Sequence, residues 1–293
     1  MTSPVIEINN LTKFYGEFRG IENVNFKVNE KDIYGFIGPN GAGKSTTIRT
    51  LLALIHPTSG NASIFGKDCI KDAEIIAKDV GYLPSENSYY ANMKVREFLD
   101  YTAALYNKDC SNRINDLTQR LNLDVNRRIA DLSFGNKKKV GIVSALLHTP
   151  KLIILDEPTS GLDPLIQQTF FEILQEENEK GVTILFSSHV LSEVQKVCNK
   201  VAIIKEGKII SIQDIGDLRK NGYKKIEVTT EGTIADNYFK DLEIANYVER
   251  DNTTSFMFKG DVAIILDLLN GLKVNDIFIE EPTLEEIFLH YYY

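Results

Sequence analysis

The chain has 293 residues, 25% of them charged and 43% hydrophobic, with a net charge of −8; this is ordinary globular composition, with room for one large domain and a smaller one. The acidic balance argues against a nucleic-acid partner, and the three scattered cysteines, Cys69, Cys110 and Cys198, lack metal or redox spacing and fit a reducing compartment. No apolar run approaches the roughly 18–20 residues that span a bilayer, and "MTSPVIEINN" lacks the basic start and apolar core of a signal peptide. A soluble cytoplasmic protein is expected, one that serves a membrane only through a partner.

In chain order, Val5–Ile8 and Asn25–Val28 alternate apolar and polar residues as half-buried strands do. "DIYGFIG" (Asp32–Gly38) predicts a buried strand entering a turn. Ile48, Leu51, Leu52 and Ile55 then recur at helical spacing until "HPTSG" breaks the pattern. From about residue 86 to 150 the chain is predicted to be mainly helical. One apolar face carries Val95, Phe98, Leu99, Thr102 and Leu105, and another Ile114, Leu117 and Leu121. "LIIL" (Leu152–Leu155) and "VTILF" (Val182–Phe186), separated by a helix through Phe170 and Leu174, read as strands buried on both faces of a parallel sheet. "VAIIKEGKII" predicts a hairpin turning at Glu206–Gly207. Beyond about Leu218 the texture changes to short alternating strands and one apolar helix. The order β-α-β-β-α-β there predicts a small α+β domain of split βαβ type. A last helix is predicted from Thr283, with Glu286 completing a capping box, and it runs into "IFLHYYY", an aromatic tail expected to pack on its own domain.

The chemistry concentrates in three places. "GPNGAGKST" (Gly38–Thr46) fits G-x-x-x-x-G-K-[ST], after a predicted buried strand and before a helix. Gly38, Gly41 and Gly43 allow a tight turn whose N–H groups converge on phosphate oxygens, and the helix N-terminus adds its positive end. Pro39, Asn40, Ala42 and Thr46 complete the cradle. Lys44 brings a full charge to the outer phosphates, and Ser45 a hydroxyl for magnesium. "LIILDEP" delivers Asp156 and Glu157 at the carboxyl end of a buried strand, where open parallel sheets bind ligands. Asp156 is expected to hold magnesium through water and Glu157 to polarise the attacking water. "VTILFSSH" ends at His189, which can reach the same edge.

Together these elements resemble the nucleotide-binding subunit of an ABC transporter, over about residues 4–217. "SGLDP" (Ser160–Pro164, with Asp163) looks like that family's D-loop, His189 like its switch histidine, and "LSFGN" (Leu132–Asn136) like its signature motif. Tyr15, in "KFYG", falls where the family stacks an aromatic ring on adenine. The resemblance implies a P-loop NTPase of ABC type at residues 1–217, with a helical subdomain at about 86–150 and an accessory domain at 218–293. It also implies ATP and Mg2+ as ligands and a head-to-tail dimer in which Ser133 and Gly135 of one subunit grip the ATP of the other. The dimer joins identical chains or this chain and a second ABC ATPase, and it drives a membrane permease on separate chains. The tail is similar to that of bacterial exporters of drugs, peptides or ions.

Two departures stand out. Phe134 and Asn136 replace the usual glycine and glutamine of the signature, which leaves open a regulatory subunit that binds ATP with little hydrolysis. In "GYLPSEN" the usual glutamine is missing; Ser85 or Glu86 can supply the oxygen, with Glu86 the longer reach and the expected metal ligand. Lys137–Lys139 are read as a solvated helix face, or else as attraction for the phosphates. The stretch from Lys44 to Ser133 is too short for the long coiled coils of DNA-repair members.

Overall fold

The computed structural model describes residues 4–86, 88–220, 223–234, 238–239 and 242–282. It divides into two compact units, Met1–Gln213 and Asp214–Tyr293. The first opens with β1 (Ile6–Tyr15) and β2 (Phe18–Val28), followed by β3 (Ile33–Ile37), α1 (Lys44–Leu51), β4 (Ser59–Ile64), β5 (Lys67–Asp68), α2 (Ala73–Ala77) and β6 (Val80–Leu83). A helical stretch comes next, with α3 (Val95–Leu105), α4 (Ser111–Arg120), a single 3-10 turn and α5 (Phe134–Leu146). The unit closes with β7 (Leu152–Asp156), α6 (Pro164–Glu179), β8 (Thr183–Ser188), α7 (Leu191–Val197), β9 (Lys200–Lys205) and β10 (Lys208–Asp214).

Two sheets result. The amino-terminal strands form an antiparallel sheet in the order β2-β1-β4-β5, and their alternating burial follows the alternating sequence. The larger sheet has the order β10-β9-β3-β8-β7-β6 and is parallel from β9 to β6. Every residue of β3, β7 and β8 is buried, as continuous apolar runs covered on both faces require. Register aligns the strand ends: Ile37 lies beside Ser188, and Asp156 beside Ser187. The chain therefore leaves all three central strands along one edge, at Gly38, Glu157 and His189. At the same edge β9 turns into β10: Glu206 and Gly207 both take positive φ, the two-residue turn that suits the twist of a hairpin, and the Gly207 N–H donates to the Ala42 carbonyl at 2.9 Å.

Three local expectations need correction. Helix α1 stops at Leu51, and Ala53 turns the chain at φ +55°, so Ile55 lies beyond the helix. On α3 the buried stripe runs through Val95, Leu99 and Ala103, four residues apart, which leaves Leu105 on the flank and exposed. The lysine run is not a solvated face: Lys138 is 1% exposed and Lys139 8%, because α5 packs against α3, α4 and β6.

The second unit contains α8 (Ile215–Lys220), β11 (Tyr223–Thr230), β12 (Ile244–Arg250), β13 (Thr253–Lys259), α9 (Val262–Leu269) and β14 (Val274–Glu280). Its sheet has the order β12-β13-β11-β14 with every neighbour antiparallel. Strands β11 and β12 thus run the same way without touching, as a split βαβ arrangement demands. Ile226, Val228, Phe256, Phe258, Ile265 and Leu269 form a separate core. The helix expected between β11 and β12 falls partly, and the Thr283 helix with its Glu286 cap wholly, outside the described residues.

Candidate functional site

The segment from Gly38 to Gly43 links β3 to α1 and curls over the strand edge. Gly43 has φ +109°, and a Cβ there would stand 2.6 Å from Ile21 Cγ2 and 3.0 Å from the Gly20 carbonyl, so no other residue fits without strain. Lys44 is folded back into this curl. Its Nζ donates to the carbonyls of Gly38 (2.6 Å) and Pro39 (3.3 Å). The loop borders a cleft of about 430 Å³, lined by Tyr15, Arg19, Gly20, Pro39 to Thr46, Ser85 and Glu157. Tyr15 is half-exposed at its rim, beside Gly20, where a Cβ would meet the tyrosine ring at 2.9 Å.

Strand β7 delivers two carboxylates with different surroundings. Asp156 is fully buried; its Oδ1 accepts from Ser187 Oγ at 2.7 Å, and its Oδ2 has no partner. Glu157 turns into the cleft at φ +50°, a left-handed conformation that costs a residue with a Cβ roughly 1–2 kcal/mol. Its N–H donates to the carbonyl and hydroxyl of Ser187 at 3.2 and 3.3 Å, which holds the turn. The carboxylate bridges two elements: Oε1 lies 3.1 Å from Lys44 Nζ, an ionic contact without hydrogen-bond alignment, and Oε2 lies 2.7 Å from His189 Nδ1. Lys44, Glu157 and His189 therefore stand in one chain of contacts, from the start of α1 and the turns after β7 and β8.

Other predicted residues lie apart from this cleft. Ser133 is the exposed N-cap of α5, its Oγ accepting from the Asn136 N–H at 3.4 Å. Phe134 is 59% exposed. Its ring lies on Gly161, where a Cβ would sit 2.3 Å from Phe134 Cδ1; a Cβ on Gly135 would sit 2.5 Å from the Gly161 carbonyl. Asp163 caps α6, accepting from the Ile166 N–H at 3.0 Å. Between the two candidate oxygens after "GYLP", the cleft is lined by Ser85, and Glu86 is exposed outside its lining.

Sequence reasoning missed several members. Arg19 and Gly20 line the cleft from β2, and Ser187 donates to the Asp156 carboxylate while accepting from the Glu157 N–H. Lys138 donates to the carbonyls of Pro84 (3.2 Å) and Ser85 (3.1 Å). Burial lowers its pKa to about 8, against the pull of Asp156 and Glu157. Only the small serine in "FSSH" and the lysine triplet hinted at these roles, and neither has a fixed spacing to read.

A phosphate loop at the edge of a parallel sheet, opposed by an aspartate–glutamate strand end, defines the P-loop class of nucleoside triphosphatases. Residues 21–160 match the ABC transporter family. The Bacitracin transport ATP-binding protein BcrA of Bacillus licheniformis is 40% identical over 228 residues, covering 77% of this chain and 74% of the relative. Its namesake from Enterococcus faecalis is 32% identical over 292 residues, covering 97% and 95%. A solved structure of an ATP-binding subunit of an ABC transporter superposes with a TM-score of 0.70 at 32% identity, covering 74% of this chain and 92% of that one. The chain belongs to the ABC transporter family as an ATP-binding subunit, an ATPase. Among the described residues no helix is long and apolar enough to cross a membrane.

Proposed function

We propose that this subunit hydrolyses ATP between two head-to-tail cassettes and so powers a permease on separate chains, exporting a drug, peptide or ion. The contact chain Lys44–Glu157–His189, at 3.1 and 2.7 Å, is the observation that carries the hydrolytic reading over the regulatory one. A subunit that only bound ATP would have no use for a carboxylate held in strained backbone beside the phosphate loop. The bacitracin-transport relatives support the exporter class. The subunit would then sit at the cytoplasmic face of the membrane, held by the permease.

In this reading Tyr15 stacks on adenine, and the N–H groups from Asn40 to Thr46 and the Lys44 ammonium take the phosphates. Phosphate competes with Glu157 for Lys44, which frees the carboxylate to accept a proton from water. His189 holds the other carboxylate oxygen and orients it. Ser133 and Gly135 of the second cassette close over the terminal phosphate. The donors fit magnesium: Asp156 Oδ2 is buried without a partner, and Ser45 lines the cleft. Among the described residues no three metal-ligating side chains cluster, and magnesium, which binds through one or two carboxylates plus phosphates and waters, needs no such cluster. When bound, it neutralises charge on the outer phosphates. The separate core of the second unit supports an accessory domain independent of this chemistry.

The test is Glu157→Gln in the purified chain. It should bind ATP as the parent does and accumulate as an ATP-dependent dimer on a sizing column. Hydrolysis at the parent rate would remove Glu157 from the mechanism.

A further inference from the structure

Lysine is almost never fully buried without a partner that offsets the loss of hydration. Lys138 is 1% exposed, and among the described residues no carboxylate lies within ion-pair distance of it. Its ammonium instead spends two of its three N–H donors on the consecutive carbonyls of Pro84 and Ser85, at 3.2 and 3.1 Å. A second clip joins the same two stretches: the Tyr89 hydroxyl donates to the Lys137 carbonyl at 2.7 Å. The chain after β6 is thus tied to α5 at Pro84–Ser85 and again at Tyr89.

The two ends of these ties matter. Ser85 lines the cleft beside Glu157. Helix α5 carries Ser133 at its N-cap, on the exposed side of the unit, and Lys138 lies within its first two turns. A helix this short moves as a rigid rod, so displacement of Ser133 displaces the Lys138 ammonium with it.

We propose that Lys138 is a positioning residue that sets Ser85 in the nucleotide cleft and links it mechanically to Ser133. Closure of a second cassette on Ser133 would thereby be felt at the chain's own nucleotide through Ser85. The inference rests on the ATP-site reading above for its consequence, though not for the tie itself. The linkage predicts an effect on turnover rather than on binding, because the phosphate loop does not depend on Lys138.

The experiment compares the full chain with Lys138→Met, which keeps length and loses donors and charge, and with Lys138→Arg, which keeps both. Amide exchange at Ser85 and Glu86, measured without nucleotide, should quicken in the methionine variant and return toward the parent in the arginine variant. With Mg-ATP, Lys138→Met should lower kcat about ten-fold or more, the scale of a small misplacement, while Kd stays within about two-fold. Lys138→Arg should recover most of the lost kcat. Unchanged exchange in a folded Lys138→Met overturns the proposal, as does an equal fall in affinity and turnover that arginine does not rescue. If Lys138→Met fails to fold, Tyr89→Phe decides. It removes one hydroxyl, and should quicken the same exchange and lower kcat by a smaller factor; no change in either overturns the proposal. Failure of the parent to bind ATP would defeat the site reading alone, since the exchange result stands without nucleotide.

Discussion

The phosphate loop and the "LSFGN" segment are built on opposite plans. The loop is concave and self-satisfied: Lys44 is 6% exposed, its ammonium is held by two carbonyls, and its carboxylate neighbour comes from the same chain. The "LSFGN" segment faces solvent at Ser133 and Phe134. Ser133 satisfies only its own helix, and Phe134 stands 59% exposed beside it. A cleft finished within one chain and an exposed helix start whose serine hydroxyl accepts only from its own helix, among the described residues, fit the two halves of the proposed site that closes only between subunits. The difference teaches where damage should be felt. Loop variants should fail as single chains; variants at "LSFGN" should fail only when two chains meet.

The largest expected effects test the first half of that statement. Lys44→Ala removes the sole ammonium of the loop, and should lose nucleotide binding as well as turnover, read by fluorescent-nucleotide titration beside phosphate release. Glu157→Gln should keep binding and lose turnover by about 10²–10⁴-fold, the span of a general base. Parent-like affinity and turnover in Lys44→Ala would break the comparison at its root.

Ser133→Arg tests the second half. Ser133 lies outside the cleft lining, so ATP affinity of the single chain should stay within about two-fold, since loss of an exposed cap costs a helix only about 1 kcal/mol. ATP-dependent dimerisation and turnover should disappear. A matching loss of affinity in the monomer would mean that the two regions are not separate halves.

How much of this the sequence carried depends on how local each feature is. The phosphate loop was legible because nine consecutive residues fix both their own turn and the ligand they suit. Asp156, Glu157 and His189 were legible because buried parallel strands deliver their carboxyl ends to one edge, so three distant stretches needed no measured distance to be placed together. The Ser85–Glu86 choice was not. Reach favoured the longer glutamate, but the backbone after β6 turns Ser85 toward the cleft and Glu86 away, and no spacing rule reports that turn. Lys138 was misread for the same reason. In a run of three lysines only the packing of α5 against α3, α4 and β6 decides that Lys138 and Lys139 are the buried ones, and that packing is long-range. Leu105 failed on periodicity itself, since the stripe on α3 is completed by Ala103, too small to register as apolar weight.

The smallest effect is expected at Phe134 and Asn136, where "LSFGN" departs most visibly from the motif it resembles. Phe134 opens α5 with an ordinary negative φ, so its Cβ carries no backbone penalty, and Ser133, Gly135 and the helix N–H groups remain in place. Asn136 keeps the amide donor and acceptor of glutamine on a shorter stem. Phe134→Gly and Asn136→Gln should therefore leave turnover within a few-fold, measured as ATPase activity of the assembled transporter. The aromatic ring does add one thing, its seat on Gly161, the residue at φ +77° two positions before Asp163. Gly161→Ala in the parent meets that ring at 2.3 Å and also takes on the left-handed strain of roughly 1–2 kcal/mol. In the Phe134→Gly background only the strain remains, so the double variant should be less impaired than the sum of the singles, a coupling of about 0.5–3 kcal/mol for residues in contact. Additive effects would detach Phe134 from the "SGLDP" turn. A rise of orders of magnitude on Phe134→Gly alone would mark the natural motif as a disabled one, and the regulatory reading would replace the hydrolytic one.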